Sequence, residues 1–171
     1  MLNFNIKYTI KGEMMPKLSE GMKAPLINIP RDGGSKIDTS EINGAYIIYF
    51  YPKDDTPGCT KQAIGFTENI KFFNDNNIII VGISKDTVEK HNKFIDKHNL
   101  DIILGSDIDG KVCENFGVWV EKSMYGRKYM GIERTTFLVS NSGIIYKIWN
   151  KVKVKDHISE VISASKDMLK L

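Results

Sequence analysis

The sequence predicts an α/β protein with a central mixed β-sheet flanked by helices. Two continuous apolar runs, at residues 46–51 and 78–83, are typical of strands that are buried on both faces. Between them, residues 59–74 carry apolar side chains at helical spacing: Ala63, Phe66, Ile70 and Phe73. Strand, helix and strand over this length form a βαβ unit, which makes the two strands parallel.

The downstream elements complete the fold class. Residues 87–98 are predicted to form a helix, followed by a short strand at 102–104. Strands at 135–139 and 144–149 flank a Ser-Asn-Ser-Gly turn, which predicts an antiparallel hairpin. A last helix is expected at 155–169. A parallel βαβ half followed by a hairpin and a terminal helix is the order of a thioredoxin-like fold.

The length of 171 residues is suited to one domain. Residues 17–171 carry the patterned segments and are predicted to form it. Residues 1–16 carry little pattern and are expected to be a flexible N-terminal extension.

Composition excludes several function classes. The 24 basic and 21 acidic residues are scattered along the chain, which does not suggest a nucleic-acid partner. No apolar run approaches the length of about 20 residues that spans a bilayer, and the N-terminus does not look like a secretory signal. We therefore expect a cytoplasmic protein without a membrane partner.

Histidines and cysteines do not form a metal site in the sequence pattern. His91, His98 and His157 lack ligand spacing with nearby carboxylates, and we expect them to be exposed helix residues. Cys59 and Cys113 are too few and too far apart for a disulfide scaffold or a four-ligand zinc site. If either cysteine has a function, it is therefore expected to act as a reactive thiol.

Cys59 lies where reactive thiols are found. It follows a buried strand and occupies the first turn of the predicted helix, where unpaired amides and the helix dipole favour a thiolate. The alternative is an inert buried thiol, the usual fate of a lone cysteine. Pro52, Pro57 and Gly58 favour the reactive role, because such residues are costly beside a core strand unless the loop needs a fixed shape.

The surrounding segment resembles the peroxiredoxin active-site motif, in which proline, three residues, threonine or serine, and two residues precede cysteine. Pro52, Thr56 and Cys59 match it. The string at 49–62, Tyr-Phe-Tyr-Pro-Lys-Asp-Asp-Thr-Pro-Gly-Cys-Thr-Lys-Gln, is similar to the bacterioferritin comigratory protein branch, also called peroxiredoxin Q. Residues 112–119, 121–123 and 131–134 are similar to the same branch in residue and spacing. The resemblance covers the chain from about residue 17 onward.

The resemblance implies a peroxidase that needs no bound cofactor. Hydrogen peroxide and organic hydroperoxides would oxidise Cys59 to a sulfenate, and an external thiol would reduce it again. The family's active-site arginine corresponds to Arg134, which would lie beside Cys59 and stabilise negative charge there. Monomers or weak homodimers are expected.

The other motif residues have physical tasks of their own. The Thr56 hydroxyl can accept from the peroxide and donate to the thiolate. The amides of Gly58 and Cys59 can bind an oxyanion at the helix start. Pro52 would close the pocket against water. Gln62, one turn after Cys59, either orients Thr56 or the arginine or faces solvent.

The sequence departs from the branch at one position. Many members carry a resolving cysteine five residues after the first, and Ile64 stands there. A one-cysteine cycle is therefore favoured, with glutathione, glutaredoxin or thioredoxin as the external reductant. Cys113 is either a structural thiol or a resolving cysteine.

Two other functions compete with this hypothesis. A thioredoxin-like disulfide exchanger needs Cys-x-x-Cys, whereas the string here is Cys-Thr-Lys-Gln at 59–62. A redox sensor or holdase would use oxidation of Cys59 to change partner binding. Continuous turnover of peroxide separates an enzyme from a sensor, which oxidises once.

Overall fold

The computed structural model describes residues 7–10 and 13–171. The strands within these residues are β1 (Lys7–Ile10), β2 (Glu13–Pro16), β3 (Asn28–Pro30), β4 (Lys36–Asp38), β5 (Ala45–Phe50), β6 (Ile78–Ser84), β7 (Ile103–Ser106), β8 (Trp119–Met124), β9 (Arg127–Ile132), β10 (Thr135–Val139) and β11 (Ile145–Trp149). The helices are α1 (Pro57–Glu68), α2 (Ile70–Asp75), α3 (Val88–His98), α4 (Lys111–Asn115) and α5 (His157–Leu169), with short 3-10 turns at Asp32–Gly34 and Thr39–Glu41. None of the helices in this part of the chain is long and apolar enough to cross a membrane.

The central sheet is mixed, with five strands in the order β11-β10-β5-β6-β7. Strands β5, β6 and β7 run parallel, whereas β10 is antiparallel to β5 and to β11. Thr135 pairs with Phe50, so β10 begins beside the end of β5. This register brings residue 134 to the loop that follows β5, where the predicted active-site motif lies.

Each face of the sheet is covered by its own apolar cluster. Along β5, Ile47 and Tyr49 face one cluster, and Ile48 and Phe50 face the other. Residues of α1, α2, α3 and α5 join the first cluster, and residues of α4 and of the β3 and β4 region join the second. Because both faces are covered, the strand reads as an unbroken apolar run. The predicted fold, a mixed sheet flanked by helices, is confirmed.

The predicted helix at 59–74 is divided in the structure. It forms α1 and α2, with a break at Asn69, whose backbone leaves helical geometry. The Asn69 side-chain amide donates to the Gly65 carbonyl at 2.8 Å, which competes with the backbone hydrogen bond of a continuing helix. Other boundaries shift by a residue or two, as is usual at element ends.

The predicted N-terminal extension contains a β-hairpin. Strands β1 and β2 pair antiparallel, with Lys7 opposite Pro16, and form a two-stranded sheet separate from the central one. Residues 1–6, 11 and 12 lie outside the described residues. The flexibility of this segment stays a prediction.

Candidate active site

Cys59 lies in the first turn of helix α1. Thr56 occupies the N-cap position with extended backbone angles, and Pro57 is the first helical residue, a position that needs no amide hydrogen. Only 2% of Cys59 is exposed. The amides of this turn have no partner within the helix, so they are directed toward the space in front of it. The thiol is therefore largely enclosed at a helix end that favours an anion.

A guanidinium group contacts the thiol. Arg134 immediately precedes β10, and its Nη2 lies 3.2 Å from the Cys59 sulfur. Its Nη1 donates to the Gln62 side-chain oxygen at 2.7 Å. One arginine thus spans two residues of α1 that are one turn apart. The planar fork fixes where its charge is held, which a flexible point charge could not do.

Gly58 leaves room for this arrangement. A Cβ atom at position 58 would lie 3.3 Å from Arg134 Nη2, closer than most side-chain contacts. A larger residue would therefore push the guanidinium away from Cys59. Gly58 therefore allows Arg134 to approach Cys59 closely, in addition to its place at the start of α1.

Gln62 and Thr56 have definite partners. Gln62 was predicted either to orient Thr56 or the arginine or to face solvent. It is fully buried, so the solvent-facing alternative is wrong. Its oxygen holds Arg134, and its amide nitrogen has no hydrogen-bond partner. The Thr56 hydroxyl donates to the Lys53 carbonyl at 2.9 Å. Its proton is therefore directed at the loop, and not at Cys59 as predicted, while its oxygen lone pairs remain free to accept.

Pro52 lies just after β5 and is exposed to solvent. It precedes the loop that leads to Thr56 and the helix start. Its expected task of excluding water from the sulfur stays a prediction.

Comparison with known proteins decides the family. Residues 21–148 match the AhpC/TSA family, which includes Cys59 and Arg134 and covers most of the chain. The chain belongs to the AhpC/TSA family. Peroxiredoxin Bcp of Bacillus subtilis is 46% identical over 149 residues, covering 86% of this chain and 95% of the relative. Peroxiredoxin Bcp of Escherichia coli is 38% identical over 154 residues, covering 90% and 99%.

Solved structures agree with the sequence relatives. The bacterioferritin comigratory protein of Xanthomonas campestris, a structure described for its alkyl peroxide reduction, superposes with a TM-score of 0.79 at 37% identity. That match covers 83% of this chain and 91% of the other. A PrxQ mutant of Xylella fastidiosa gives 0.81 at 31% identity, covering 88% and 99%. The predicted thioredoxin-like fold and the predicted resemblance are confirmed, and the chain is a thiol-dependent peroxidase.

The second cysteine of this peroxiredoxin lies on the other side of the sheet. Cys113 belongs to the cluster on one face, and Cys59 to the cluster on the opposite face. The Cys113 side chain is fully buried, and its amide donates to an Asp107 carboxylate oxygen at 2.8 Å. Burial, and then the Asp107 charge, raise the pKa of the Cys113 thiol far above its ordinary value. Cys113 therefore has the surroundings of an inert core thiol.

The prediction of three exposed histidines is wrong for His91 and His157, which are buried, and His98 is only partly exposed. His91 and His157 have 0% and 2% of their surface exposed, and His98 pairs with Asp55 at the surface. His91 follows Val88 and precedes Phe94 at three-residue steps along α3. His157 similarly precedes Val161 and Ala164 on α5. A histidine that shares a helix face with apolar residues is expected to be buried, and this pattern could have indicated the burial of both histidines.

The low pKa of His157 should make the folded protein less stable in acid. Burial, and then the Arg134 charge, lower the pKa of His157 from 6.5 to about 4. Between pH 6.5 and about 4 only the unfolded chain gains the proton, so the free energy of unfolding falls as the pH falls through this window. At pH 5 the loss is about 2 kcal/mol relative to pH 7.5.

Urea unfolding at pH 7.5 and pH 5 measures this loss. His157→Gln removes the titrating group. Between pH 7.5 and pH 5, the free energy of unfolding of this variant should therefore fall by about 2 kcal/mol less than that of the parent protein. Equal falls in the two proteins would refute the assignment.

Proposed function

We propose that this peroxiredoxin reduces hydrogen peroxide and organic hydroperoxides through Cys59 in a one-cysteine cycle. The observation that carries the proposal is the 3.2 Å contact between Arg134 Nη2 and the Cys59 sulfur at the start of α1. The buried Gln62 side chain holds the guanidinium in this position through its oxygen. The relative from Xanthomonas campestris, described for alkyl peroxide reduction, supports organic hydroperoxides as substrates.

The oxidation half of the cycle is a displacement at oxygen. The Cys59 thiolate attacks one peroxide oxygen, the O–O bond breaks, and the other oxygen leaves as hydroxide or alkoxide and takes a proton. The sulfur loses two electrons and becomes a sulfenic acid. Arg134 and the first-turn amides stabilise charge on the sulfur and on the separating oxygens. Thr56 accepts a hydrogen bond from the peroxide with its free lone pairs.

The reduction half uses an external thiol. That thiol condenses with the sulfenic acid, releases water and forms a mixed disulfide with Cys59. A second thiol then displaces Cys59 as thiolate, which closes the cycle. Thioredoxin, glutaredoxin and small thiols are the candidate donors. We place the protein in the cytoplasm, where such donors are kept reduced.

An internal disulfide is disfavoured by the fold. A disulfide needs Cβ atoms about 4 Å apart. Cys59 and Cys113 are anchored in clusters on opposite faces of the central sheet. Ile64, at the position of the common resolving cysteine, cannot supply the second sulfur.

Intact mass spectrometry after one equivalent of peroxide tests the cycle. We expect a gain of one oxygen atom in the parent protein and the same gain in Cys113→Ser, because Cys113 takes no part. A loss of two hydrogens that needs Cys113 would show an internal disulfide and contradict the one-cysteine cycle. Continued peroxide consumption with a thiol donor would separate the enzyme from a redox sensor.

A further inference from the structure

A buried polar network lies beside the active site, outside the chemistry described above. It joins the loop between β5 and α1 to helix α3 and to the ends of β6 and β7. Its members are all buried: Tyr51, Asp54, Ser84, Asp86, His91 and Ser106. Two loop residues belong to the network, Tyr51 and Asp54, and Asp54 is the one that contacts α3 and Asp86.

Asp54 is fixed by three hydrogen bonds. One carboxylate oxygen accepts from the Tyr51 hydroxyl at 2.5 Å, and the other accepts from His91 Nδ1 at 2.7 Å. The Asp54 amide donates to an Asp86 carboxylate oxygen at 2.8 Å. Backbone and side chain are thus both held, so the loop has little freedom at this point.

Asp86 in turn is tied to the sheet. The same carboxylate oxygen accepts from the Ser84 hydroxyl at 2.7 Å, at the end of β6. The Ser106 hydroxyl, at the end of β7, donates to the Asp86 carbonyl at 2.5 Å. The loop is therefore anchored to the rigid carboxyl ends of two strands.

His91 is the buried partner from α3. Its second ring nitrogen, Nε2, lies 3.0 Å from the Gly105 carbonyl, so both nitrogens face acceptors. The ring is therefore held in one orientation between the Asp54 carboxylate and the Gly105 carbonyl. A buried polar contact of this kind adds little net stability compared with apolar packing. Stability alone does not account for it.

We propose that Asp54 and His91 are positioning residues for Cys59. Asp54 directly follows Lys53, whose carbonyl receives the Thr56 hydroxyl, and Thr56 is the N-cap position of α1. Holding Asp54 therefore sets where the helix begins and where its first-turn amides and Cys59 face the peroxide. Small displacements of such groups cost much of the rate. This inference rests on the proposed function, in which Cys59 is the nucleophile.

Two tyrosines of the same segment give a matched test. Tyr51→Phe removes one hydroxyl that donates to Asp54. Tyr49→Phe is its control: Tyr49 is equally buried, lies on the same face, and has a hydroxyl with no hydrogen-bond partner. Burial raises the pKa of both tyrosines well above the ordinary value, so both hydroxyls are neutral. Each variant loses one oxygen atom and no apolar volume.

The measurements separate positioning from folding. We expect Tyr51→Phe to lower the second-order rate constant for sulfenate formation by about tenfold. The same loosened loop should raise the rate at which N-ethylmaleimide alkylates Cys59. Tyr49→Phe should change neither rate by more than about twofold. Thermal unfolding of both variants shows that each is folded at the assay temperature.

Equal rate constants in the two tyrosine variants would overturn the proposal. Asp54→Asn is a second variant, which keeps the side-chain shape but removes the charge facing His91, and it should slow sulfenate formation at least as much as Tyr51→Phe. Parent-like kinetics in a folded Asp54→Asn protein would also overturn it. Failure of the proposed function has a different signature, since peroxide reduction would then survive in Cys59→Ser.

Discussion

Cys59→Ser is expected to abolish thiol-dependent peroxide reduction at every peroxide concentration. A serine hydroxyl stays protonated at neutral pH, and oxygen at this position cannot form the sulfenate on which the cycle depends. Helix amides and the Arg134 guanidinium cannot compensate, because they stabilise a charge that the variant no longer carries. Initial rates of peroxide consumption with a thiol donor measure the effect.

Cys113→Ser is the matched control, since it removes the other sulfur. Cys113 is buried on the opposite face of the sheet, so we expect peroxide consumption within about twofold of the parent rate once folding is verified. Substantial activity in Cys59→Ser would end the proposal that Cys59 is the nucleophile. Loss of activity in Cys113→Ser alone would instead revive an internal disulfide.

The parts of the site that are contiguous in sequence were predictable. Cys59 and Thr56 belong to one strand-loop-helix segment, and the buried strand before it and the apolar spacing after it place the thiol at a helix start. Arg134 is different, because periodicity does not show that β10 pairs with β5. Its selection depended on the resemblance to peroxiredoxins, and the contact with Cys59 depends on strand order.

The buried network could not be predicted in the same way. Asp54 and His91 are separated by 37 positions, and their contact depends on how α3 packs beside the loop. An aspartate in a turn-like string and a histidine in a charged helix are both typical of exposed positions. The position of His91 on the apolar stripe of α3, which the prediction of an exposed histidine did not use, indicates burial but does not identify a partner.

Arg134→Ala is expected to lower the second-order rate constant for peroxide by about a hundredfold. Arg134 Nη2 contacts the sulfur at 3.2 Å, and the guanidinium stabilises charge that builds up on sulfur and oxygen during displacement. Its loss also leaves the Gln62 oxygen buried without a donor. Stopped-flow measurement of sulfenate formation at fixed pH gives the rate constant directly.

Two further substitutions make the result specific. Arg134→Lys keeps the charge but loses the planar fork whose two nitrogens contact Gln62 and Cys59, so we expect an intermediate loss of about tenfold. Arg127→Ala removes an arginine from the exposed part of β9 and should leave the rate constant unchanged. If Arg134→Ala and Arg127→Ala react with peroxide equally fast, the guanidinium does not stabilise the transition state. The reactivity of the thiol would then depend on its position at the start of α1.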